Sequence, residues 1–139
     1  MKNYLFKSYL YGKSAALAFA LVFILAGSAW AQYVGTAEQA FQASQNPQNK
    51  AVAKKVFCYC GCDKEAGHRD LWDCYRTKHF VSCGTCQQEM LRIQQMNAQN
   101  EPFSRMRSTI DHEFSSSYPF QNPSPILQRY LAGEGRSHL

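Results

Sequence analysis

Five consecutive residues, Cys58-Tyr59-Cys60-Gly61-Cys62, carry three thiols at alternate positions. Cys74 follows, and a CxxC pair, Cys83 and Cys86, completes the six cysteines of the chain. A disulfide from Cys58 to Cys60, or from Cys60 to Cys62, would close a ring too small for the usual Cβ separation and dihedral angle. Such a bond would be labile rather than structural. Two thiolates one residue apart can instead chelate one ion through both sulfurs. With a second pair such as Cys83 and Cys86 they meet the tetrahedral demand of Zn²⁺, and Cu⁺ would accept two or three of the same sulfurs. Cys58, Cys60, Cys62, Cys83 and Cys86 are therefore the candidate ligands, with Cys74 and His68 as further donors. His79 is ranked below His68, because Gly67 lets the backbone turn at the latter.

Two other chemistries compete for the same sulfurs. Cys83 at a helix N-terminus would gain from the helix dipole and free N–H groups, which should lower its pKa. Cys83 and Cys86 are then candidates for a dithiol–disulfide couple working with a redox partner protein. No strand pattern precedes them, so a thioredoxin-like setting is not expected. Alternatively all six cysteines pair as three structural disulfides, with fifteen possible connectivities, and the result is an interaction module without catalysis. Nothing resembles a Ser/His/Asp or Cys/His catalytic set, a phosphate-binding glycine loop or a metalloprotease motif. Asp63 and Asp70 read as solvent-facing or capping carboxylates. Tyr59, Trp72 and Tyr75 read as cover for the sulfurs, and Met90, Met96 and Met106 as core rather than copper thioethers.

The elements that must position these groups are helical. Thr36 caps a short helix over Ala37 to Ala43 with Ala37, Ala40 and Phe41 on one face. Asn46-Pro47 starts a second helix to about Phe57, which would deliver Cys58 to the core edge. From Cys58 to Ser82 the periodicity fails, and a compact loop is expected with one helical turn around Arg69 to Tyr75. So long a loop in a small domain calls for covalent or coordinate bonding in place of apolar packing. Cys83 to Ala98 forms the longest helix, with Cys83, Cys86, Met90 and Ile93 on one face. The next, from Glu101-Pro102 to Phe114, carries a stripe of Phe103, Met106, Ile110 and Phe114. A Ser-, Asn- and Pro-rich linker, 115–125, leads to a last helix begun by Ser124-Pro125 and ended near Gly133, with a loose tail beyond. The fold class is all-α, a small helical domain with a cysteine-rich loop.

The 139 residues also bound the setting. Lys2, Lys7 and Lys13 precede an apolar run from Ala15 to Ala26, and Ala29-Trp30-Ala31 has the small-x-small pattern of a signal-peptidase site. Residues 1–31 thus read as a cleaved signal peptide. The run is too short for the roughly 20 residues of a membrane span, so no stable membrane insertion is expected after cleavage. The mature chain, exported to the periplasm or extracellular space, divides into a cysteine-rich domain over 32–114 and a C-terminal part over 115–139. Its charge is only about +2, since three of the fifteen basic residues leave with the signal and ten acidic ones remain. That balance does not argue for nucleic acid, and no nucleic-acid-binding motif is present. The expected partners are a metal ion or a redox protein.

The CYCGC motif, Gly67-His68, Cys74 and the downstream CxxC together resemble a bacterial family named for its PCYCGC or CYCxC motif. Its members are small exported proteins or lipoproteins, some of them selenoproteins, with no assigned activity. The likeness takes in the Asn46-Pro47 helix and the segment Met106 to Asp111, and covers roughly residues 36 to 114. Phe57 stands where many members have proline, and no cysteine marks a lipoprotein cleavage site. Selenocysteine in place of a cysteine in some members implies a reactive chalcogen, which favours redox chemistry over stapling. The reading favoured on residues and resemblance together is a thiophilic metal site for Zn²⁺ or Cu⁺.

Overall fold

The computed structural model describes residues 36–133; residues 1–35, which include the stretch expected to be a signal peptide, and the tail from 134 lie outside them. Among the described residues every regular element is helical and none is a strand. Residues 36–45 belong to helix α1. It is followed by α2 (Pro47–Ala53), α3 (Cys62–Glu65), α4 (Leu71–Arg76), a 3₁₀ turn (His79–Ser82), α5 (Gly84–Ala98), α6 (Phe103–Phe114), a second 3₁₀ turn (Ser115–Ser117) and α7 (Pro125–Leu131). None of these helices is long and apolar enough to cross a membrane.

Local chemistry explains where these helices start. Asn46 caps α2 by accepting from the Gln48 N–H at 2.8 Å, with Pro47 at the first helical position. Asp70 caps α4 through the Asp73 N–H at 2.9 Å, and Ser124 caps α7 through the Leu127 N–H at 3.0 Å. Helix α5 is the axis of the domain, packed on α2, α4 and α6. Its buried face, Cys86, Met90, Ile93 and Met96, meets the stripe Met106, Ile110 and Phe114 of α6. The Arg92–Glu113 ion pair, 2.8 Å, closes that contact at the surface.

Three expectations need correction. Helix α2 stops at Ala53, a turn short of Phe57. The Val56 carbonyl accepts from Leu71 N–H at 3.0 Å, so the chain turns there and drives Phe57 and Cys58 into the core. The stretch from Cys58 to Ser82 is not a loop with one helical turn. It holds α3, α4 and a 3₁₀ turn, joined through left-handed residues Gly67 (φ 68°) and Lys78 (φ 60°). On α1, Ala40 and Ala43 are buried whereas Phe41 is exposed and stacks on Phe80 at 6.0 Å.

Candidate metal centre

Three pieces of chain bring the thiols together. The turn after α2 delivers Cys58; the CYCGC motif adds Cys60 and, at the start of α3, Cys62. Helix α4 contributes Cys74, and the beginning of α5 contributes Cys83 and Cys86. Cys58, Cys62, Cys74 and Cys86 are buried, while Cys60 and Cys83 are half-buried at the opening of the cluster. None of the six is joined to another in a disulfide. The Sγ atoms of Cys60 and Cys62 lie 2.9 Å apart, those of Cys62 and Cys74 3.0 Å, and those of Cys58 and Cys86 3.5 Å.

Gly61 makes the motif's geometry. Its φ of 88° is left-handed, which turns the chain sharply between Cys60 and Cys62. A Cβ at this position would also meet Pro119 Cγ at 2.6 Å. The linker residues Tyr118 to Phe120 therefore pack over the motif rather than hang free. Tyr118 reaches Phe57 at a ring separation of 6.0 Å and donates to Asp63 Oδ2 at 2.8 Å. Asp63 is accordingly buried, not the solvent-facing carboxylate expected.

Three sets of donors each gather within 4.8 Å: Cys58, Cys60, Cys74 and Cys86; Cys60, His79, Cys83 and Cys86; and Cys62, His68 and Cys74. The cluster could hold a metal ion. His68 Nδ1 sits 3.3 Å from Cys74 Sγ, and its Nε2 lies 3.3 Å from the Thr77 hydroxyl. That second contact orients the ring, as outer partners of ligand histidines do. His79, ranked lower from sequence, lies in the second set and edge-on to His68 at 5.9 Å.

With this geometry in view, the comparison with known families is informative. The family described as a protein of unknown function with PCYCGC motif matches residues 32–126, well over half of the chain. The chain belongs to that family. No curated protein and no solved structure matches it. In this PCYCGC protein Phe57 replaces the motif's proline, and its side chain packs edge-on against Tyr59 at 5.1 Å.

Protons are unevenly shared among the thiols. S–H donation from Cys58 and its neighbours holds Cys60 far below the ordinary thiol range, and Cys74 comes down to about 4 for the same reason, led by Cys58. Cys58 is pushed up, first by burial and then by the thiols around it. Cys62 and Cys86 are drawn down by Cys58 yet rise on balance, because Cys60 and Cys74 hold their protons in place. The Cys60 sulfur likewise lifts Cys83 to about 11, so the fall expected at the helix N-terminus is reversed.

Tyr75 lies beside the cysteines as expected, whereas the Tyr59 side chain packs on Phe57 and donates to Asp111 Oδ1 at 2.9 Å. Both are buried, and the Tyr75 hydroxyl donates to the Cys86 carbonyl at 3.0 Å. Trp72 lies elsewhere, under the Lys50 ammonium at 4.2 Å. Met90, Met96 and Met106 are core residues.

Sequence reasoning missed Glu89. It is 0 % exposed, accepts from the Tyr59 N–H at 2.9 Å through Oε1, and has no hydrogen-bond partner for Oε2 among the described residues. Burial pushes its carboxyl well above the carboxylate range, against the pull of the Cys58 thiol. Its signal was available: Glu89 stands three residues after Cys86, on the face that also carries Met90 and Ile93.

Proposed function

We propose that this PCYCGC protein is exported and binds a thiophilic metal ion, Zn²⁺ or Cu⁺, at its cysteine cluster. The observation that carries the reading is the approach of Cys58, Cys60, Cys74 and Cys86 from three stretches of chain to within 4.8 Å of one another. Four sulfurs at that spacing match a closed tetrahedral site, and soft sulfur donors suit Zn²⁺ and Cu⁺ alike. Cys74, only a further donor on sequence grounds, takes a place in this inner set, and Cys62 and Cys83 stand beside it. Burying several sulfurs is costly if they ionise without a cation, so an ion would replace thiol protons as it binds. Export rests on the lysine-flanked apolar run and the Ala29-Trp30-Ala31 pattern.

A redox couple at Cys83 and Cys86 has less support. Cys86 Sγ lies 3.5 Å from Cys58 Sγ and belongs to both four-membered donor sets, so the CxxC pair is part of the wider cluster rather than a couple set apart. The test is metal analysis and a free-thiol count on protein recovered from the exported compartment. Bound metal, with thiols that become reactive on chelation, is expected. Protein free of metal and of reactive thiols would point to disulfides and remove the proposal.

A further inference from the structure

The cluster offers more donors than one ion can use. Six sulfurs and two imidazole nitrogens converge, while a tetrahedral ion takes four. The three donor sets are not separate: Cys60 and Cys86 belong to both four-membered sets, and Cys74 links the first to the third. Ions occupying neighbouring sets must therefore share thiolates. We infer that the centre is polynuclear, with at least two thiophilic cations: an inner one on Cys58, Cys60, Cys74 and Cys86, and an outer one on Cys60, His79, Cys83 and Cys86. This deepens the metal-binding reading and rests on it.

Burial and charge both favour this arrangement. The inner set has three buried members and one half-buried, and the outer set has one buried and three half-buried. The outer site thus lies between the inner one and solvent, with His79 as its nitrogen donor. A single ion on the inner set leaves Cys62 and Cys83 without a metal, although Cys62 Sγ lies 2.9 Å from Cys60 and 3.0 Å from Cys74. Bridging places each added cation against thiolates already present, which offsets the cost of further buried negative charge. Each new metal–sulfur bond to a protonated thiol releases one proton to water, and no electron changes hands. The third set, Cys62, His68 and Cys74, gives room for a further ion, with His68 held in place by Thr77.

The experiment is an anaerobic titration of the reduced, signal-free protein, once with Zn²⁺ and once with Cu⁺ supplied as its acetonitrile complex, read by native mass spectrometry. At least two ions per chain are expected with one of these metals. A variant combining His79→Ala with Cys83→Ser should hold one fewer at unchanged helicity. One ion on the wild type would overturn the inference and leave the metal-binding reading standing, whereas no ion with either metal would overturn both. A variant that loads as fully as the wild type would overturn the placement of the outer ion. Should the variant not fold, ¹¹³Cd NMR of the wild type decides. Two or more ¹¹³Cd signals split by coupling through shared sulfur are expected, and a single unsplit signal would contradict them.

Discussion

Glu89 sets the character of the site at the residue scale. Burial favours the neutral form of a carboxyl with no exposure, one oxygen on the Tyr59 N–H and the other without a hydrogen-bond partner among the described residues. Glu89→Gln keeps the acceptor and the shape, so chemical denaturation of the metal-free protein should find it as stable as wild type. Glu89→Ala leaves the Tyr59 N–H buried and unsatisfied and should cost about 1–3 kcal/mol. Equal losses in the two variants would mean that Glu89 is ionised in the fold. The position of Glu89 on the buried face was there to be read, but an acid inside a helix is normally placed on its solvated face, and the residue was passed over. The alternate thiols of the CxCxC motif were legible because chelation depends on spacing alone. That Cys74 joins the inner set, and that His79 reaches the second, depends on how α4 and the 3₁₀ turn fold back onto α5. No local pattern encodes that.

The short elements around the site carry the next two predictions. Gly61 combines a left-handed backbone with the closest approach of the linker, Pro119 Cγ standing 2.6 Å from where a Cβ would be. Gly61→Ala therefore incurs the left-handed penalty of about 1–2 kcal/mol and a steric clash as well. Adding Pro119→Ala should recover part of the loss in a denaturation experiment; no recovery would show that the linker does not seat on the motif. Asp70, the cap of α4, has its carboxyl raised by burial to about 6 from an ordinary 3.8. The folded state holds this proton more tightly than the unfolded chain. The resulting stabilisation is complete below about pH 4 and is lost as the pH rises through about 6. Asp70→Asn preserves the cap acceptor and removes the charge. It should melt higher than wild type at pH 7, with the difference gone below pH 4, and parallel profiles would contradict this. The long helix α6 was legible from its stripe Phe103, Met106, Ile110 and Phe114, and the short α7 from its start signal Ser124-Pro125. Helices α3 and α4, with four and six residues, are too short to show a period.

For the molecule as a whole, the described chain is a helical frame with a sulfur centre set into one end of its main axis. The α5–α6 pair has an ordinary apolar seam, whereas α3, α4 and the first turn of α5 meet at the thiol cluster as well as through buried Leu71, Tyr75 and Phe80. Metal removal should therefore act unevenly. Hydrogen exchange after chelation is expected to lose protection first over 58–86, while amides around Ile93 and Ile110 keep theirs. Uniform loss, or none, would mean that the centre does not hold these elements. The all-helical class was legible from caps and stripes, and the family from its motif. The seating of Tyr118 to Phe120 over Gly61 was not, because a Ser- and Pro-rich segment has no period to show which surface it covers. The central claim is that sulfur meets metal at this junction. X-ray absorption at the metal edge of the protein as isolated from its exported compartment tests it most directly. The account predicts a first shell dominated by sulfur, at about 2.3 Å if the ion is zinc. A shell of oxygen and nitrogen alone, or protein without metal, would contradict it.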